Sequence, residues 1–142
     1  MTALDEIVEV FPGLRATAFT NVPHTLPVLD THFPRFPVLP GVLILDTLAQ
    51  VAAVALGAAG EGPERWGLAE ARRIRFRHYV TPGDRMETTV DIAEVTGDTA
   101  LCTGTVRVDG RAVTTVRVLR MARRAPQDAP AASEGTPACS AL

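Results

Sequence analysis

The chain contains no lysine: its fourteen basic residues are all arginine, and they face sixteen acids, leaving a formal net charge of -2 over 142 residues. Bulk binding to nucleic acid or an anionic membrane requires a basic excess, so neither partner is expected. Cysteine is almost absent as well. Cys102 and Cys139 have neither metal-ligand spacing nor the numbers for a disulfide framework, and both are expected as reduced thiols. The start, MTALDEIVEV, places acids where a secretory or transit peptide needs basic residues, so a cytoplasmic location is expected. The longest apolar run, residues 42–59, is interrupted by Asp46, Thr47 and Gln50. An acid in mid-membrane costs roughly 2.5–3.5 kcal/mol, so this run reads as a buried helix. There is no internal repeat and no cluster of metal-ligating residue types.

What is present is 46% apolar and 21% charged residues, the balance of one soluble globular domain. Residues 7–22 read as two β-type runs around Pro12-Gly13, a hairpin. Residues 23–41 hold Pro23, Pro27, Pro34, Pro37 and Pro40, which fix φ and remove backbone donors, so an ordered extended loop is expected. Pro40-Gly41 then opens a helix that Gly57 and Gly60 close. That helix is apolar nearly all round and must be wrapped by something. The wrapper is read as four antiparallel strands in a meander: Arg73–Val80, Arg85–Val95, Ala100–Val108 and Ala112–Met121, with Asp109-Gly110 as a type I′ turn signal. In the first of these, Ile74, Phe76, His78 and Val80 alternate with Arg73, Arg75, Arg77 and Tyr79. From residue 125 the composition turns to Ala, Pro, Ser and Gly, which predicts a disordered tail over 125–142 behind a domain spanning 1–124. The class is α+β, a curled antiparallel sheet around one long central helix.

Three features bear on chemistry. His32 lies in the proline loop; a lone histidine is commonly structural, yet its ordinary pKa of roughly 6.5 also suits a base. Asp46 lies in the second turn of the most apolar helix, where an ionised carboxylate is costly unless partnered or protonated. Gln50, one turn on, projects from the same side and can orient that carboxyl. Gly41 at the helix start either offers an unobstructed N–H at the positive end of the dipole or merely eases a tight turn. A base, a protonated carboxyl and an oxyanion donor together suit removal of a proton next to a carbonyl with loss of a β-leaving group.

The run HFPRFPVLPGVLILDTLAQ, residues 32–50, resembles the signature H-F-P-x-x-P-x-x-P-G-V-L-x-x-E/D-x-x-A-Q of the 3-hydroxyacyl-acyl-carrier-protein dehydratases. RIRFRHYVTPGDRM, residues 73–86, resembles their R-F-x-x-x-V-x-P-G-D segment, and VRVDGRAV their late hairpin, so the likeness spans roughly residues 6–124. The resemblance implies a hot-dog fold and dehydration of a 3-hydroxyacyl thioester to the trans-2-enoyl thioester. No cofactor is implied beyond the phosphopantetheine of the acyl carrier protein that carries the substrate. By position, His32 is implied to be the base, Asp46 the acid, Gly41 the donor to the thioester oxygen and Gln50 the residue orienting Asp46. The Val38 carbonyl is implied to fix the imidazole tautomer, and Phe33 and Phe76 to line an acyl tunnel. A homodimer or higher even oligomer is implied, with His32 and Asp46 of one site on different subunits. Arg35, Arg73, Arg75 and Arg77 either dock the acidic carrier or form a solvated strand face.

Two departures are visible. Asp46 stands where the common single-function members have Glu, a shortening by one methylene. The N-terminal helix usual in the family is expected to be missing, with residues 4–11 already forming the first strand. Besides fatty-acid synthesis, a polyketide-pathway polyene dehydratase and a non-catalytic partner subunit of a heterodimer fit the same residues. Possession of both His32 and Asp46 weighs against the partner subunit.

Overall fold

The computed structural model describes residues 4–23 and 39–124. The proline loop with His32, Phe33, Arg35 and Val38, and the tail expected from residue 125, lie outside them. The elements are β1 (Glu6–Phe11), β2 (Arg15–Asn21), α1 (Gly41–Gly57), a single 3-10 turn (Pro63–Arg65), β3 (Trp66–Phe76), β4 (Arg85–Thr96), β5 (Thr99–Val108) and β6 (Arg111–Arg123). All strand pairs are antiparallel, in the order β1-β2-β4-β5-β6-β3. α1 packs against all six strands, as so apolar a helix requires.

The core lies between α1 and the concave sheet face, with Leu48, Val51, Ala52 and Ala55 set against Val90, Val106, Val116 and Leu119. Burying a side chain such as Leu48 contributes about 1.5–3 kcal/mol. Asp109 (φ 53°) and Gly110 (φ 80°) both take the positive φ that a type I′ turn demands, so the sequence signal for the β5–β6 hairpin holds.

Two expectations are corrected. The meander covers only β4, β5 and β6; β3 crosses to the far edge and pairs with β6. The strand expected over residues 73–80 runs instead over Trp66–Phe76, because the N–H groups of Arg77 and His78 both turn to the Val113 carbonyl and end the ladder. Within β3, Arg73 has a φ of 57°, which breaks the alternation. Opposite it, β6 carries a register shift between Val116 and Leu119. As an edge strand β3 has no neighbour on one side among the described residues. Phe76 lies on the side facing α1, as expected, but is half exposed; His78, expected on the same face, is exposed, and Val80 is buried.

α1 is not enclosed on every side. Val42 is 69% exposed, and Leu45, Asp46, Ala49, Gln50 and Val54 are half-buried, which leaves one stripe of the helix uncovered. Among the described residues no helix is long and apolar enough to cross a membrane.

Candidate active site

Asp46 and Gln50 sit one turn apart on the uncovered stripe, and Gln50 Nε2 donates to Asp46 Oδ2 at 2.8 Å. The i,i+4 spacing of a helix produces this contact. Both residues line a cavity of about 550 Å³ whose walls include Ala49, Ala53, Trp66 and Met121. Small side chains on α1 keep the space open, and Trp66 and Met121 close it from the sheet. The hydrogen-bonded Asp46 carboxyl thus meets apolar side chains in this cavity, which Glu64 and Arg124 also line.

Gly41 is the first residue of α1, following Pro40 in extended conformation. The first N–H of a helix has no intrahelical acceptor. A row of the sheet running Ala18, Thr88, Val106, Thr114 ends at Phe76 on the side facing α1. That row brings the Phe76 ring over Gly41 so closely that a β-carbon there would lie 2.8 Å from Cζ. Glycine at 41 therefore lets the half-exposed Phe76 ring close over the start of α1, and a larger residue there would have to push the ring aside. Among the described residues, the cavity holding Asp46 and Gln50 includes neither Gly41 nor Phe76, which form a separate contact.

Residues flanking the proline loop are fixed at both ends. Val22 N–H donates to the Asp84 carbonyl and the Val22 carbonyl accepts from Gly83, both at 2.9 Å, while Leu39 N–H donates to the Val80 carbonyl at 2.6 Å. The loop leaves and returns at the β3–β4 connection, next to the start of α1. Asp84 stabilises that connection by accepting from Thr81 N–H at 2.9 Å and from its hydroxyl at 3.3 Å.

Arg73, Arg75 and Arg77 are brought together on a groove of about 740 Å³ across β3, β6 and β5, with Thr103, Thr115 and a fourth arginine, Arg117. None of the four pairs with a carboxylate among the described residues, whereas Arg15, Arg72, Arg85, Arg120 and Arg123 all do. Arg117 is not legible as a member of this groove, since only the β3–β6 pairing puts it beside Arg73. Cys102 is buried on β5, and desolvation pushes its thiol up to about 12, which marks it as a structural residue.

The FabA-like domain family matches residues 1–117. The 3-hydroxyacyl-acyl-carrier-protein dehydratase FabZ of Bacillus velezensis is 40% identical over 111 residues, 78% of this chain and 79% of that protein. FabZ of Bacillus subtilis is 38% identical over 116 residues, 81% and 82% of the two chains. Among solved structures, the dehydratase heterocomplex ApeI:P of Xenorhabdus doucetiae superposes with a TM-score of 0.67 at 20% identity, covering 87% of this chain and 99% of that one. The PaaI protein of the E. coli phenylacetic acid degradation operon gives 0.65 at 13% identity, covering 84% and 79%. At those identities the structures establish the hot-dog arrangement of sheet and helix, while the curated relatives carry the closer kinship. The chain belongs to the FabA-like family, among the 3-hydroxyacyl-acyl-carrier-protein dehydratases.

Proposed function

We propose that the protein removes water from a 3-hydroxyacyl thioester carried on acyl carrier protein, giving the trans-2-enoyl thioester, with His32 as base and Asp46 as acid. The imidazole takes the proton from C2, the electron pair left behind forms the C2–C3 double bond, and the C3–O bond breaks as Asp46 delivers its proton to the departing hydroxyl. Charge gathering on the thioester oxygen is met by the Gly41 N–H, where the helix dipole adds partial positive charge. The Val38 carbonyl holds the imidazole tautomer, and Phe33 and Phe76 flank the acyl group. The chain's own acid and base suffice for this chemistry. The observation that carries the reading is the Asp46–Gln50 pair set in a cavity beside Ala49, Ala53, Trp66 and Met121 on the uncovered stripe of α1.

The two clusters of a single chain are joined by a second copy. His32, Val38 and Gly41 come from one subunit and Asp46 with Gln50 from the other, in a homodimer or a higher even oligomer. The unpaired edge of β3, with Leu68 and Phe76 exposed beside it, supports such pairing. The carrier docks through Arg35, Arg73, Arg75 and Arg77, which is supported by the absence of carboxylate partners for the last three among the described residues.

The test is a mass-spectrometric assay of 3-hydroxyacyl carrier protein with wild type, His32→Ala and Asp46→Asn. Wild type sheds one water, and each variant loses about 10²–10⁴ in kcat, the usual worth of a general acid or base. Gln50→Ala keeps the acid but frees its orientation, so kcat falls further than KM rises. Full activity in either dyad variant rejects the role given to that residue.

A further inference from the structure

The cavity at Asp46 extends along α1 towards Ala53 and Val54, seven to eight residues or about 11 Å from the acid. Its far end is not apolar. β6 closes on two consecutive arginines, of which Arg123 is spent: it is ion-paired with Glu61 and Asp98 and lies over the Trp66 ring at 4.8 Å. Arg124 has no carboxylate within ion-pair distance among the described residues. Its backbone is clamped to Arg65 in both directions, N–H to the Arg65 carbonyl and Arg65 Nε to the Arg124 carbonyl. From that fixed point the guanidinium lies across Gly67, where a β-carbon would come 2.7 Å from Nε and 2.9 Å from Nη2. Any side chain at 67 would displace it. Glu64 lines the same end, but its carboxylate lies over Gly62 and forms no ion pair with Arg124.

We infer that Arg124 is a specificity-determining residue: the cavity accepts an acyl chain of medium length whose distal end carries a carboxylate, received by the Arg124 guanidinium over Gly67. This rests on the dehydratase reading above and names its substrate class. A cavity serving hydrocarbon ends alone gains nothing from a cation at its mouth, and Arg124, exposed and without a carboxylate partner among the described residues, is free to meet an anion there. A carboxylate would accept charge-assisted hydrogen bonds from it in the planar geometry that arginine offers. The run of about 11 Å along α1 from Asp46 suits a chain of medium length.

The experiment compares kcat/KM for 3-hydroxybutyryl, 3-hydroxydodecanoyl and ω-carboxylated 3-hydroxydodecanoyl carrier protein in wild type, Arg124→Met and Gly67→Ala. Wild type prefers the ω-carboxylated chain over its methyl-ended counterpart about tenfold, the exposed cation being worth less than a buried one. Arg124→Met abolishes or reverses that preference through KM, Gly67→Ala weakens it by displacing the guanidinium, and neither alters turnover of the butyryl substrate, which ends short of residue 124. Equal or better use of the methyl-ended chain by wild type, or a preference unchanged in Arg124→Met, overturns the inference while leaving the dehydratase reading intact. If wild type turns over none of the three substrates, the dehydratase reading fails. Calorimetric binding of the two long pantetheine thioesters then decides, with equal affinities rejecting the inference and an Arg124-dependent difference supporting it.

Discussion

At the scale of single residues, the contact between Gly41 and Phe76 couples stability to chemistry. A β-carbon at 41 lies 2.8 Å from the Phe76 ring, so Gly41→Ala pushes the ring away or tilts the start of α1, at about 1–3 kcal/mol for overpacking. Urea unfolding is expected to show that loss, and Gly41→Ala/Phe76→Ala to recover most of it; a double variant no better than the single one contradicts the contact. Cys102 gives a pH signature. Its thiol ionises at about 12 in the fold against an ordinary 9.0, so between these values the unfolded chain binds fewer protons and stability falls as pH rises through that window. Replacing Cys102 by Ala is expected to flatten that part of the profile, whatever it costs in packing; an unchanged slope would show the thiol is not its source. The Asp46–Gln50 pair was legible from spacing because helical geometry makes residues four apart into neighbours. Gly41 and Phe76 are 35 positions apart, and only strand pairing across four ladders joins them.

Among the elements, α1 and the β4-β5-β6 hairpins follow from local signals: proline and glycine at the helix ends and a turn dipeptide between β5 and β6. β3 does not. Its residue alternation continues past Phe76, yet the regular ladder ends there because the Arg77 and His78 N–H groups both turn to the Val113 carbonyl, and the left-handed Arg73 beside the irregular stretch of β6 shifts the alternation within the strand. Left-handed backbone at a non-glycine residue costs about 1–2 kcal/mol, and asparagine tolerates it better. Arg73→Asn is therefore expected to raise stability by about 0.5–1 kcal/mol in urea denaturation; a fall would mean that the arginine side chain contributes more than its conformation costs. Arg117 and Arg124 escaped the sequence reading for a related reason. Arg117 stands in the irregular stretch of β6 and Arg124 just past its end, and only the neighbours that the sheet order and the Arg65 clamp supply give them a place in a groove or a cavity.

For the whole molecule, the decisive feature is that the described residues flanking the proline loop are held at the β3–β4 connection, while Asp46 and Gln50 line a cavity on the uncovered stripe of α1. In the proposed dimer, a second copy that covers this stripe would complete both sites at once. The central claim is then tested by mixing two inactive proteins. His32→Ala and Asp46→Asn homodimers are co-refolded, or co-expressed with different tags and isolated as the mixed dimer, and assayed on 3-hydroxyacyl carrier protein. With a shared site, each mixed dimer holds one site with both groups intact and one with neither, so about half the wild-type turnover per dimer returns. Activity in the mixed dimer no higher than in the parent variants would place His32 and Asp46 in the same chain's site, or outside the chemistry, and would contradict the account.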